Sequence, residues 1–298
     1  MVEQPITDAL RPGLREWFEF NVGTGRDVAD VEAGLVAAGY RAQDVQAFVR
    51  EESARFARYQ AGEAFDADPV GCPAEAAERF WRRLDVLAPF NRVLLVDRVV
   101  PILVKYLGRG IFLLPDFLSD EECDGLIAQA EGRMEDSKIF DQSNGALVVD
   151  PTRSSRSCAI RRGDGELVRR IESRIAKLTD MPVGFGENLQ IVQYAPGGEY
   201  IPHFDYFDPE TPGGAEELAG NSQRLLTVIM YLSDVEGGGW TQFPDLNVEF
   251  TPMKGAALLF PALDPQGSLF RPSLHWGRPV FSGEKWIATK WIRLTPQA

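Results

Sequence analysis

YAPGGEYIPHFD, residues Tyr194 to Asp205, opens on a turn and closes on an extended run. Pro196, Gly197 and Gly198 interrupt the chain, and His203 and Asp205 then fall at i and i+2. On a β-strand that spacing points both side chains to one face. The only other histidine, His275, lies far downstream in LHWGRPVFSGEKWI, residues Leu274 to Ile287. A lone histidine is more often a core or surface residue than a ligand, and an H-x-D triplet alone is weak. The second imidazole changes the weighing. Two imidazoles and one carboxylate brought to one point hold a metal on one face, as in the facial triad of non-haem iron sites, and leave the opposite face open.

Ten residues beyond His275 stands Lys285, at the head of KWIATKWIR, Lys285 to Arg293. Period 2 puts Lys285, Ile287, Thr289, Trp291 and Arg293 on one face of that strand. A solvated strand lysine is the plain alternative. Beside a metal, however, a cation suits a dicarboxylate ligand, because it neutralises the carboxylate far from the ion.

The rest of the composition sets bounds. The chain has 298 residues, 44% hydrophobic and 25% charged, the balance of an ordinary globular protein. A net charge of −13 argues against nucleic acid as a partner, since phosphate binding needs a basic surface. Cys72, Cys123 and Cys158 are scattered, which fits neither a disulfide framework nor a zinc cluster. That pattern leads us to expect a reducing, cytoplasmic setting. No signal-like start is evident. The most apolar run, Arg92 to Lys105, is broken by Asp97, Arg98 and Pro101 and is too short to span a membrane.

Patterning divides the chain in two. Residues 1–91 read as a helical region, with apolar residues in helical phase over Asp27–Ala38, Gln43–Tyr59 and Pro73–Leu87. The first pair faintly resembles a small three-helix binding module, although such stripes are more often core. Residues 92–298 read as one domain. Ser119 followed by Asp120, Glu121 and Glu122 predicts a helix start, and the helix should run to about Arg133. Residues 136–163 read as a polar, irregular loop over the site, and Gly165–Leu178 as a helix. From Asn188 onward, short strands punctuated by Gly, Pro, Asn and Asp imply a sandwich or jelly roll of the cupin type, so the fold class is α+β. Phe207–Asn221 reads as a long loop beside the metal. The helical region is expected to pack on the barrel and to support the substrate entrance or a homodimer contact.

Seven pieces in order carry a resemblance: Phe117–Cys123, Arg153–Ser157, Tyr194–Asp205, Arg224–Val235, Gly238–Pro244, Pro252–Phe260 and His275–Lys285. Together they resemble the prolyl 4-hydroxylase type of 2-oxoglutarate- and Fe(II)-dependent dioxygenase, over about residues 110 to 295. One departure is Trp240, where the family often has an acidic residue after the Gly-Gly pair. The resemblance implies a double-stranded β-helix core and Fe(II) held by His203, Asp205 and His275. It implies 2-oxoglutarate chelating the metal, its far carboxylate on Lys285, with Tyr194 or Thr227 hydroxyls as candidate helpers. Tyr200 and Trp291 would line the substrate side, and Arg153 or Arg156 would hold a substrate carboxylate or peptide carbonyl. O2 completes the set, and ascorbate enters only through the resemblance. The implied reaction hydroxylates an unactivated C–H of a prolyl or related amino acid, free or in a peptide, and releases succinate and CO2. Halogenation is set aside because Asp205 is present. The remaining alternative is a cupin-like metal-binding or sensor protein without turnover, for which Lys285 would have no use.

Overall fold

The computed structural model describes residues 3–60, 67 and 70–297. Two antiparallel sheets supply the frame. The larger has eight strands, in the order Val104–Tyr106, Ile111–Leu114, Ala257–Pro261, Arg224–Tyr231, Lys285–Arg293, Leu189–Tyr194, Arg156–Ile160 and Glu135–Asp136. The smaller has four, in the order Tyr200–His203, His275–Gly277, Thr241–Phe243 and Val248–Phe250. Their facing sides meet in one apolar cluster, where Ile229, Tyr231, Phe260 and Ile287 of the large sheet pack with Phe243 and Phe250 of the small one. This is the expected double-stranded β-helix, or jelly roll.

The central strand RLLTVIMY, Arg224–Tyr231, is buried along nearly its whole length because both of its faces are covered. On one side lies the small sheet. On the other, Leu226, Val228 and Met230 join a second core with Ile171, Ile175 and Leu178 of the helix Gly165–Thr179 and Leu126 of the helix Asp120–Ala130. The latter helix starts where the sequence indicated. Ser119 Oγ accepts from the Glu122 N–H at 3.2 Å, and Glu122 Oε2 accepts from the Ser119 N–H at 2.9 Å, a capping box. It stops at Ala130, one turn short of the expected end. Gly255 turns the chain into Ala257–Pro261 at φ +82°, and a Cβ there would meet the Leu118 carbonyl oxygen at 2.6 Å, so only glycine fits.

Three stretches differ from their reading. Residues 136–163 are not irregular: Lys138–Phe140 and Leu147–Val149 pair as a hairpin, and Arg156–Ile160 joins the large sheet. Phe207–Asn221 contains a short helix, Pro212–Gly220, capped by the Thr211 side chain. Short strands with many polar residues and no clean alternation give little periodic signal, and the nine-residue helix is too short to show one. The N-terminal region adds a helix, Arg11–Gly23, to the three that the pattern marked.

The N-terminal helices have a core of their own, with Phe18, Val31, Leu35, Val45, Phe48 and Val49. The helix Pro73–Leu87 does not share it. Its Phe80, Leu84 and Leu87 enter the core beneath the large sheet, although the change of sequence pattern falls after it. Buried ion pairs join the two parts: Arg83 donates to Glu16 at 2.8 Å and Lys177 pairs with Glu19. Within the second part, Arg79 forms a fork on Asp180 at 3.0 Å. Among the described residues no helix is long and apolar enough to cross a membrane.

Candidate metal centre and its pocket

His203 ends the strand Tyr200–His203, and the register of the small sheet places it directly opposite His275. The two ring centres lie 4.2 Å apart. Each imidazole is oriented in the same way: Nδ1–H of His203 donates to the Ile201 carbonyl at 2.8 Å, and Nδ1–H of His275 to the Ser273 carbonyl at 2.9 Å. That leaves both Nε2 lone pairs for a ligand, and a second hydrogen bond of this kind is what metal-binding histidines use to fix their tautomer. Asp205, two residues past His203, brings Oδ1 to 3.9 Å from His203 Nε2 and Oδ2 to 3.8 Å from His275 Nε2. All three donor atoms lie within 4.8 Å of one another. Two neutral nitrogens and one carboxylate oxygen on one side of a cavity fit a divalent metal with open positions opposite.

The electrostatics favour a loaded state. Burial, and the neighbouring His275, push His203 down to about 3, so that it is a neutral ligand at ordinary pH. Burial works against the charge of Asp205, but the two imidazoles, Arg224 and the Thr227 hydroxyl outweigh it and hold the carboxyl below its usual value. Tyr200 stacks on the His203 ring, with centres 3.5 Å apart and planes 19° apart, which removes the ring's remaining freedom.

The donors open into a pocket lined by Arg153, Tyr194, Tyr200, Lys285 and Trp291. Its far wall is the strand Lys285–Arg293, from which Lys285, Ile287, Thr289 and Trp291 all face inward, as period 2 requires. Lys285 is buried opposite Tyr194, with Nζ 5.4 Å from that ring's centre and 5.9 Å from the Tyr231 ring's. Among the described residues it has neither a carboxylate partner nor a hydrogen-bond acceptor, and burial alone drives its ammonium down to about 7. Gly239, at φ +70°, runs against the Lys285 stem, so Trp240 is turned away from the pocket, onto Phe281 at 5.6 Å between ring centres. The unusual residue at that position therefore does not alter the pocket wall.

The other predicted residues divide. Tyr194, Tyr200, Trp291 and Arg153 line the pocket. Arg153 is already engaged, donating to the Lys138 carbonyl at 3.2 Å, to Gln190 Oε1 at 3.3 Å and to Ser155 Oγ at 3.3 Å, with its guanidinium over Tyr200. Arg156 does not reach the pocket; it is exposed, donates to the Met134 carbonyl at 2.6 Å and borders a separate groove. Thr227 is also displaced from its expected task. Its hydroxyl donates to Asp205 Oδ2 at 2.6 Å and does not line the pocket, so it braces the carboxylate and not a cosubstrate. Both corrections have one cause: strand period gives the face of a side chain, but not the partner that reaches it first. Gln190 and Arg224 were missed. Gln190 was within reach of the same period, two pairs before Tyr194 on Leu189–Tyr194. Nothing in the sequence marks Arg224, whose partners lie on three other segments.

Residues 189–293 match the family model described as the 2OG-Fe(II) oxygenase superfamily, a span that includes His203, Asp205, His275 and Lys285. The chain is 38% identical over 202 residues to a protein of Arabidopsis thaliana named probable prolyl 4-hydroxylase 3, covering 61% of this chain and 69% of that one. It is 36% identical over 204 residues to prolyl 4-hydroxylase 2 of the same plant, covering 61% and 67%. Among solved structures, the viral collagen prolyl hydroxylase vCPH of Paramecium Bursaria Chlorella virus-1, as its 2OG complex, is 31% identical with a TM-score of 0.49 over 62% of this chain and 97% of that one. Identity of 38%, carried across more than two thirds of the plant protein, makes this chain a member of the prolyl 4-hydroxylase type of 2-oxoglutarate- and Fe(II)-dependent oxygenases.

Proposed function

We propose that this protein hydroxylates a prolyl residue of a polypeptide, using Fe(II), 2-oxoglutarate and O2. The observation that carries the reading is Lys285: a buried lysine with no carboxylate partner among the described residues, in the same pocket as the three metal donors. His203 Nε2, His275 Nε2 and an Asp205 oxygen would hold the iron, with Thr227 fixing the other oxygen of Asp205. Lys285 would take the far carboxylate of 2-oxoglutarate, and Tyr194, across the register from it, would close that end of the pocket. Bound there, iron with 2-oxoglutarate and O2 supplies the oxidising power to insert one oxygen atom into a C–H bond, with release of succinate and CO2. The apolar side chains Val192, Ile229 and Ile287 exclude water from the site. Tyr200 and Trp291 would face the substrate.

A polypeptide is favoured over a free amino acid by the surroundings of the mouth. Two surface grooves border the hairpin that carries Leu147 and Val149; one shares Arg153 and the other Gln190 with the pocket wall. A chain crossing the mouth has somewhere to lie in both directions, and the named relatives are prolyl 4-hydroxylases. We also read residues 1–91 as a helical region beside a catalytic domain at 92–298, with Pro73–Leu87 lent to the core of that domain.

The test is direct. Anaerobic Fe(II) plus 2-oxoglutarate should give a weak visible charge-transfer band, and air should then give succinate. Proline-containing peptides should gain 16 Da, whereas free proline should not. Succinate without any modified peptide, but with hydroxylated free amino acids, would overturn the polypeptide assignment. Ascorbate belongs to the same reading and is tested by its omission.

A further inference from the structure

The large sheet has eight strands and the small one four, so the small sheet cannot cover the whole pocket face of the large one. The strand Arg156–Ile160 lies toward the uncovered side. Its Ser157 and Ala159 stand opposite Val192 and Gln190, and residues directly paired across two strands share a face. Val192 and Gln190 line the metal pocket, so Ser157 and Ala159 carry the same surface outward. Ile160 alternates with them and turns into the core beneath the sheet. Ser157 is half-buried, Ala159 is exposed, and both are small. They floor a trough with Lys138 and Leu147 of the hairpin at its side. The trough starts at Gln190, which also lines the metal pocket. It continues past Ala159 and Arg133, which it shares with a second groove.

The charge changes along this path. Beside the hairpin, Lys138 and Arg133 are balanced by Glu135 and Asp136. In the second groove Arg133, Arg161 and Arg162 face one carboxylate, Asp164. That is a local positive excess in a chain of net charge −13. Arg162 is tied down, donating through Nη1 to the Gly184 and Gly186 carbonyls, each at 3.2 Å, and through Nη2 to that of Gln297 at 3.0 Å. Arg133 donates through Nη2 to the Ala159 carbonyl at 2.8 Å, which keeps it at the junction of the two grooves with hydrogens of its fork to spare. Arg161 continues the alternation of Ser157 and Ala159 just past the strand. Its guanidinium has neither an ion pair nor a hydrogen bond among the described residues. Arg79, Arg83, Arg174 and Arg293, by contrast, all meet carboxylates. A planar guanidinium presents a fork that matches a carboxylate.

Resting on the polypeptide reading above, we propose that Arg133 and Arg161 form a specificity subsite for an acidic residue of the substrate, on one side of the target proline and several residues from it. The proline lies at the metal donors, the chain leaves the pocket past Gln190 and runs over Ser157 and Ala159, and an aspartate or glutamate meets the two guanidinium groups. Arg161 stands two residues beyond Ala159, roughly 7 Å further along the strand direction, so an extended chain spans the gap. An exposed charge pair is weak by itself. Here the pocket already holds the proline, so the second contact is made within one bound molecule.

The experiment uses the full-length protein with Fe(II) and 2-oxoglutarate. Serine- and alanine-rich peptides carry one proline and one aspartate, the aspartate being moved stepwise along both sides of the proline, and each has an asparagine twin. The quantity read is the ratio of kcat/KM for hydroxylation of the aspartate peptide to that of its twin. The ratio should reach about three- to tenfold at one or two neighbouring positions on one side, the size expected of exposed charge pairs, and stay near one elsewhere. Changing Arg133→Gln and Arg161→Gln together should bring that peak to near one. Arg161→Glu should invert it, so that lysine at the same position is preferred to aspartate. A merely structural role would slow all peptides alike and leave the ratios as they were. That result overturns the proposal, as does a ratio that is the same at every position, which is what diffuse attraction gives. If no peptide gains oxygen, the polypeptide reading fails, and binding judges the subsite instead: rhodamine-labelled aspartate and asparagine peptides are titrated at low salt by anisotropy, and equal affinities for the two overturn it.

Discussion

One strand, Lys285–Arg293, carries two buried lysines on opposite faces. Lys290 is 1% exposed, points toward the helix Gly165–Thr179 and donates to Glu172 at 2.6 Å. Lys285 is 2% exposed and points into the pocket, with its ammonium near the Tyr194 and Tyr231 rings. Burial lowers the ammonium of both, but on the helix side Glu172 works against that shift, and on the pocket side no group among the described residues does. A buried charge is tolerated when it is paired and hydrogen-bonded, and is costly otherwise. The paired lysine is therefore part of the fold, and the one without a carboxylate among the described residues is where we propose that a negative ligand binds. The same division runs through the molecule. Glu122 with Arg174, Arg174 with Asp97, and Glu16 with Arg83 are closed pairs on the helix side and at the joint with the N-terminal helices.

Substitutions on the pocket face should then harm function and spare the fold, and those on the helix face should do the reverse. The largest effect is expected at the metal donors. His203→Ala, Asp205→Ala and His275→Ala should each abolish iron-dependent succinate formation while the melting curve keeps its shape and midpoint within a few degrees. Normal turnover by any of the three would remove that residue from the centre.

On the helix face, Lys290→Met leaves Glu172 buried without its cation. Breaking such a pair costs about 3–5 kcal/mol, so the unfolding midpoint in urea should drop markedly while the KM for 2-oxoglutarate stays within twofold. The double change Lys290→Met with Glu172→Met should recover most of that loss. A changed KM in the single variant would show that the two faces are not independent.

On the pocket face, Lys285→Met should raise the KM for 2-oxoglutarate about 10- to 150-fold, the equivalent of ~1.5–3 kcal/mol for a lost charge-assisted pair. The ligand-free protein should become more stable, because a lone buried cation is removed. An unchanged KM would mean that another group holds the carboxylate.

The smallest effect is a pH dependence. The Lys285 ammonium titrates near 7 when folded, against 10.5 for the ordinary side chain. Between those values the unfolded chain holds a proton that the folded, ligand-free chain lacks, so this group makes stability rise with pH across the window. The stability advantage of Lys285→Met should accordingly be greatest at or below pH 7 and fade toward 10.5. Binding of 2-oxoglutarate restores the proton, so its KM should climb above pH 7, approaching tenfold per unit. A flat profile between pH 7 and 9 would argue that the lysine stays charged without its ligand.

Much of this was legible in the sequence, and for physical reasons. The i, i+2 spacing of His203 and Asp205, and the period 2 of Lys285 through Trp291, are local consequences of strand geometry, so the side chains that face the pocket could be named before any fold was known. A sandwich or jelly roll followed from the run of short strands, with the resemblance choosing the jelly roll, and the start of the helix after Ser119 followed from its capping chemistry. Partners were a different matter. That Thr227 braces Asp205, that Arg153 is already satisfied, that Arg156 lies outside, and that Arg224 joins Glu187, Asp205 and Trp291 all depend on which strands become neighbours. So does the contrast between Lys285 and Lys290, since both are simply lysines on one strand until the helix Gly165–Thr179 supplies Glu172 to one of them and no carboxylate among the described residues reaches the other. Local spacing fixes the direction of a side chain, but only tertiary packing fixes what that side chain meets, and burial makes that meeting the larger energy.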